Sequence, residues 1–270
     1  MSERMTMTIS NGVADVRMNR PEKRNALDGA MFQALADMGE RLKTEPGVRV
    51  VVLSGEGPSF CAGLDFSSFQ QMSSGERSQP VEGNPGQMQN GGITHLGQQV
   101  CWVWQEIPVP VIAAVHGHAL GGGIQIALGA DIRIVHPDTQ LSVREVHWGL
   151  VPDMTGTLML SSLVRADVAK ELVFTARVFD GREAFALGLA TRLSESPLED
   201  AMSMAAEIAG RSPDAIRGAK ALLNGRFNDG AAQQFAEERR VIGSLVGRPN
   251  QVEAVMANFE KRAPAFVDQA

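Results

Sequence analysis

Residues 5–9 and 13–18 alternate apolar and polar positions, the period of a strand with one buried face. Between them lies Asn11-Gly12, a pair that tolerates the positive φ values of a two-residue turn, so a hairpin is predicted. The period then lengthens. Met31, Leu35, Met38 and Leu42 recur at helical spacing from Asp28 to about Lys43. An apolar run over 48–54 predicts a buried strand, with Gly55-Glu56-Gly57-Pro58 as the loop after it. Helix and strand alternate from there: a helix near 96–106, a strand at 111–115, a helix from Gly122 and a strand at 131–135. Such alternation predicts an α/β fold with a mainly parallel sheet. From Met154 onward the pattern is helical to the end, with amphipathic segments at 198–211, 213–224, 231–246 and 250–262. Ser212-Pro213 puts a cap residue before a proline at the first helical position. The change of pattern divides the chain into an α/β core, residues 1–200, and a helical region, residues 201–270. Residues 70–92, rich in Gln, Ser, Gly, Asn and Pro, break the order. A loop of that length is usually functional or disordered, and its place directly after a small-residue loop predicts a mobile lid.

Composition narrows the function classes. The chain has 270 residues, 44% hydrophobic and 21% charged, which suits one large globular domain or a main domain with an appendage. The net charge of −6 and the absence of Tyr remove both the electrostatic footprint and much of the stacking surface that nucleic acid needs. No apolar run approaches the ~20 residues that span a bilayer. The N-terminal residues lack the apolar core of a signal peptide, so a cytoplasmic location is expected. Cys61 and Cys101 make neither a disulfide framework nor a metal spacing, and His116-x-His118 has no evident third ligand. No metal is expected.

Two glycine-bearing loops carry candidate chemistry. His116-Gly117-His118-Ala119-Leu120-Gly121-Gly122-Gly123 follows the strand at 111–115 and leads into a helix. That order aims free backbone N–H groups and the positive end of a helix dipole at one point. A phosphate fits there, as does the oxyanion of a thioester becoming an enolate; a purely structural turn is the alternative. Neither nucleotide-binding glycine fingerprint is present. Ser59-Phe60-Cys61-Ala62-Gly63-Leu64-Asp65 is a second small-residue loop after a strand.

Asn19-Arg20-Pro21-Glu22-Lys23-Arg24-Asn25-Ala26-Leu27, Phe60-Cys61-Ala62-Gly63-Leu64-Asp65 and Ala119-Leu120-Gly121-Gly122-Gly123 together resemble motifs of the enoyl-CoA hydratase/isomerase (crotonase) family. The resemblance continues through Ala130-Asp131-Ile132-Arg133, Gly149-Leu150-Val151-Pro152 and Phe259-Glu260-Lys261-Arg262, and so covers nearly the whole chain. It implies a spiral of ββα units followed by a helical trimerisation region, assembled as a homotrimer or a dimer of trimers. It also implies an acyl-CoA substrate, with coenzyme A entering as part of that substrate and no separate cofactor. The backbone N–H groups of Leu64 and Gly122 match the family's oxyanion donors. Lys23 and Arg24 match its cations near the CoA phosphates, and Lys261 a lysine that reaches a neighbouring subunit's CoA. Ala26, Ala62, Asp65 and Gln125 fall at positions around the substrate.

The acids depart from the hydratase pattern. Family hydratases carry glutamates at the positions of Gln125 and Glu145. Hydration needs one group to activate water and another to exchange a proton at C2, and Gln125 cannot titrate. Moving a double bond needs less, because one carboxylate can take a proton at one carbon and return it at another. Glu145 as that base is the economical reading, similar to family Δ3,Δ2-enoyl-CoA isomerases. Asp153 matches the second acid of family dienoyl-CoA isomerases, which add an acid at the position of Gln125, and also the nucleophile of aroyl-CoA dehalogenases. Ahead of Met154-Thr155-Gly156 it also suits a helix N-cap. His147 would share a strand face with Glu145 if that segment were extended. Trp102, Trp104 and Phe66 suit an acyl tunnel or the core. Double-bond isomerisation is thus the expected function. The alternatives are hydration, thioester or dehalogenase chemistry through Asp153, and acyl-CoA binding without turnover.

Overall fold

The computed structural model describes residues 3–68, 83–89, 92–228 and 230–266. The hairpin forms as predicted: β1 (Met5–Ser10) pairs antiparallel with β2 (Val13–Met18), and Asn11 and Gly12 take φ of 51° and 82°. Every later pairing in the main sheet is parallel. β3 (Val50–Gly55) lies beside β2, β4 (Val111–Val115) beside β3, then β6 (Ile132–Val135) and the two-residue β8 (Arg192–Leu193). A second, two-stranded parallel sheet joins β5 (His118–Leu120) to β7 (Gln140–Ser142). Each strand of the small sheet follows a strand of the main one, and after β5 comes α3 (Gly122–Gly129), which is the ββα repeat.

At β3 and β4 both faces of the main sheet are covered, so these strands read as unbroken apolar runs. Val51 and Leu53 point to one side, into a core shared with α1 (Gly29–Leu42) and α2 (Leu96–Glu106). Val50 and Val52 point to the other, where Ala201, Ala205 and Ala209 of α7 (Pro197–Ala209) pack on them. The division predicted after residue 200 therefore falls inside a helix that is part of the sheet's own cover. Strands β5, β7 and β8 went unpredicted because segments of two or three residues are too short to display a period. Between Met154 and α7 the helices are α4 (Gly156–Leu163), α5 (Ala166–Thr175) and α6 (Gly181–Leu187), so β8 interrupts the expected helical run. Three more follow: α8 (Pro213–Asn228), α9 (Ala231–Leu245) and α10 (Pro249–Glu260). Among the described residues no helix is long and apolar enough to cross a membrane.

One buried charge ties this tail to the sheet. Lys220 of α8 donates to Asp131 at 2.7 Å and to the carbonyls of Trp104 and Val109 at 2.9 and 3.0 Å. Removing the ammonium would strand a carboxylate and two carbonyls in a buried place. Lys220→Met is therefore expected to destabilise the fold by ~3–5 kcal/mol, a Tm drop on the order of 10 °C. A Tm within 2 °C of the parent in calorimetry would contradict that role.

Candidate active site

The two glycine-bearing loops are sewn together by backbone hydrogen bonds. Cys61 N–H donates to His118 O, and Leu120 N–H returns to Cys61 O. On the other edge, Leu27 N–H donates to Gly63 O and Asp65 N–H to Leu27 O. In that parallel bridge the neighbours of Leu64 make the bonds, which turns the N–H of Leu64 outward. Gly122 opens α3, so its N–H has no acceptor within the helix. Both residues line a cleft of about 880 Å³. Close approach explains the glycines: a Cβ on Gly63, where φ is +88°, would meet Leu120 O at 2.5 Å, and one on Gly123 would meet Cys61 O at 2.2 Å. Asn25, fully buried, holds the same loops by donating to Glu56 O and Ser59 O.

Glu145 lines the same cleft beside Gly121, in a 3₁₀ turn, Glu145–Trp148, rather than in an extended strand. In this turn Glu145 is buried while His147 is exposed, so the shared strand face expected for the two does not exist. The Glu145 carboxylate accepts from Gln125 Nε2 at 2.5 Å through Oε1, and Oε2 has no partner among the described residues. Burial pushes its pKa up to about 7. Gln125 lies three residues after Gly122 on the same helix face. It is fully buried behind Glu145 and does not line the cleft. Its Oε1 is already occupied, accepting from the N–H groups of Met154 and Gly156 at 3.0 Å each.

Asp153 lines the cleft with its side chain one-quarter exposed. The cap residue of α4 is Thr155, and Asp153 is no N-cap. The free N–H groups at this helix start are taken instead by Gln125 and by Glu238, which accepts from Thr155 N–H at 3.1 Å. Burial and the charges of Glu145 and Glu238 push the Asp153 pKa up to about 8. His95 Nε2 stands 4.0 Å from its Oδ2 but brings no charge, because burial lowers the His95 pKa to about 4. The cleft thus holds two carboxyls whose pKa values burial brings into the neutral range.

Around this centre, Lys23, Arg24, Ala26, Ala62 and Asp65 all line the cleft. The Asp65 carboxylate is turned into the loop, bonded to Arg20 at 2.6 Å and to Ser67, so it holds structure rather than facing a ligand. Lys261 caps α10 and does not line the cleft of its own chain. Phe66 stands at the cleft edge-to-face with Trp148 and Phe259, both at 6.1 Å. Trp102 and Trp104 are core residues, the latter donating to Val100 O. His116 and His118 face Gly57 O and Ser59 Oγ, and no cluster of His, Cys, Asp or Glu among the described residues is arranged to hold a metal. The lid expected over 70–92 lies mostly outside the described residues, which include only 83–89 and residue 92 of it. Glu238 was missed because a glutamate on a polar-looking helix reads as solvated. Its signal is positional: it shares a face with Ala231 and Phe235, both fully buried, lying seven and three residues after them.

A ββα spiral whose paired loops aim backbone N–H groups into a carboxyl-bearing cleft is the crotonase class of protein. The chain belongs to the enoyl-CoA hydratase/isomerase family, whose model matches residues 8–269. It is 33% identical to the peroxisomal Δ(3,5)-Δ(2,4)-dienoyl-CoA isomerase of Arabidopsis thaliana, over 92% of this chain and 90% of that protein. It is 30% identical to the mitochondrial methylglutaconyl-CoA hydratase of Mus musculus, over 95% of this chain and 80% of that one. Among solved structures, an enoyl-CoA hydratase/isomerase from Pseudoalteromonas atlantica superposes with a TM-score of 0.84 at 28% identity, covering 98% of this chain and 100% of that one. The protein is thus an enzyme of a family that acts on acyl-CoA thioesters, with both hydratases and an isomerase among its relatives.

Proposed function

We propose that this enzyme shifts double bonds in unsaturated acyl-CoA thioesters, with 3,5-dienoyl-CoA as the substrate the acids fit best. The observation that carries the reading is the pairing of carboxyls in the cleft. Glu145 and Asp153 both line it, while Gln125, at the other glutamate position of hydratases, is bound to backbone behind them. In the reaction, Glu145 removes a proton from C2 of the bound thioester. The electron pair runs through the conjugated bonds to the thioester oxygen, where the N–H groups of Leu64 and Gly122 hold the oxyanion. The protonated Asp153 then gives its proton to C6, leaving a 2,4-dienoyl thioester, and solvent exchange resets the two carboxyls. A substrate with one double bond at C3 needs Glu145 alone, which returns its proton at C4. Lys23 and Arg24 supply positive charge for the CoA phosphates. The expected assembly is a homotrimer or a dimer of trimers, for which the exposed Phe174 and Phe185 offer apolar contact surface.

The pH dependence follows from the two raised pKa values. Glu145 works as the carboxylate, so kcat/KM on 3,5-dienoyl-CoA rises with pH through about 7. Asp153 works as the acid, so the rate falls again above about 8. Asp153→Asn is expected to remove the upper limb and slow the dienoyl reaction ~10²-fold, leaving the 3-enoyl shift near the parent rate. Equal loss of both activities would contradict the division of labour. Hydration is the second reading, supported by the hydratase names among the relatives. It requires water addition to crotonyl-CoA at a rate comparable with isomerisation.

A further inference from the structure

Glu238 stands behind the acid pair and takes no part in the reaction above. It comes from α9, far along the chain, and it is buried. Its Oε2 accepts from Thr155 N–H at 3.1 Å and from Gln98 Nε2 at 2.9 Å, and its Oε1 accepts from Thr157 Oγ1 at 2.6 Å. The Thr157 hydroxyl is itself an acceptor for Gln234 Nε2, so its proton points at Glu238. Every one of these partners donates, which favours the ionised carboxylate against the burial that pushes the Glu238 pKa up. The cation nearest this network acts through an amide. Arg239 donates to Gln98 Oε1 at 2.8 Å, and the opposite end of that amide donates to Glu238.

Thr155, the residue whose N–H Glu238 accepts, adopts φ of 65°, a conformation a β-branched residue rarely takes. Its hydroxyl is buried without a partner among the described residues. The turn 154–156 is therefore held from outside, by Gln125 on one side and Glu238 on the other. Asp153 enters the cleft from the residue before that turn. Among the described residues, the titratable groups that face Asp153 are Glu145 from the 3₁₀ turn, Glu238 from α9, and His95 and Cys101 at and within α2. Burial keeps His95 and Cys101 neutral, so the charges near Asp153 are negative.

We propose that Glu238 is a positioning residue for Asp153: it pins the turn that carries the acid and, when ionised, disfavours loss of the acid's proton. The proposal rests on the isomerase reading above and extends it to a residue of the helical tail. An ionised Glu238 behind the acid makes ionising Asp153 unfavourable, so Asp153 holds its proton to higher pH.

The test is the pH profile of kcat/KM on 3,5-dienoyl-CoA for the parent and for Glu238→Gln, with exchange of the C2 proton of a saturated acyl-CoA measured alongside. Glutamine can keep the Thr155, Gln98 and Thr157 contacts with the Thr157 hydroxyl turned round, so the fold is retained while the charge is lost. The upper limb is expected to move down by ~1 pH unit, with a ~5–10-fold loss at pH 8 and an unchanged KM. C2 exchange, which needs only Glu145 and the oxyanion donors, stays at the parent rate. A parent limb that Glu238→Gln leaves in place would overturn the proposal alone, whatever the Tm of the variant. A parent profile without an upper limb would overturn the acid role of Asp153 and the proposal with it.

Discussion

Replacing Glu145 by Gln is expected to lower turnover of both 3-enoyl- and 3,5-dienoyl-CoA by ~10³-fold, with CoA-thioester affinity within ~2-fold of the parent. The amide fits the existing site, since its carbonyl can take the place of Oε1 and go on accepting from Gln125 Nε2. What disappears is the basic oxygen, the partnerless Oε2. Gln125 does not titrate, and Asp153, its pKa pushed up to about 8, serves as the acid in the proposed reaction. Isothermal titration with a non-isomerisable thioester, beside steady-state rates, separates binding from chemistry. A variant that keeps more than a tenth of the parent rate would remove Glu145 from the mechanism.

The second large effect is expected at Gly63. An alanine there meets Leu120 O at 2.5 Å and must hold φ near +88°. Relief of either strain rotates the peptide that presents Leu64 N–H and spreads the loops stitched at Cys61. Loss of one oxyanion donor is worth ~10²–10³-fold in kcat, and the strain itself costs about 1–2 kcal/mol of stability. KM should change little, because the donor matters most where charge develops in the transition state. Gly63→Ala with kcat within threefold of the parent would show that Leu64 N–H is not a donor in the reaction. The leucine side chain contributes nothing to that role; it packs against Leu150 and Val255.

Much of this architecture is legible in the residue order, and for identifiable reasons. Asn11-Gly12 announces its hairpin because few other pairs accept two successive positive φ values. The run at 48–54 announces a strand covered on both faces, and the helix from Gly122 begins where the glycines end. The candidate site is legible where it is built from backbone, at Gly63-Leu64 and Gly121-Gly122, since only glycine serves such close approaches. It is less legible where side chains converge from distant segments. Asp153 reads locally as a helix cap, yet the cap is supplied by Gln125 and Glu238, one 28 residues earlier and the other 85 residues later in the chain. His147 reads as a strand neighbour of Glu145, yet Gly149, with φ of 71°, closes a 3₁₀ turn that sends the two apart. Lys220 and Glu238 look like solvated helix charges until the chain places Asp131 beside one and the start of α4 beside the other.

The central claim is that paired carboxyls in this cleft move protons along an acyl thioester without adding water. Incubation of the protein with 3-hexenoyl-CoA, a 3,5-dienoyl-CoA and crotonyl-CoA in deuterated water, followed by mass and absorbance, tests it directly. The account predicts deuterated 2-enoyl and 2,4-dienoyl products from the first two, and no 3-hydroxy product from crotonyl-CoA. Rapid hydration of crotonyl-CoA, with the other two left unconverted, would contradict it.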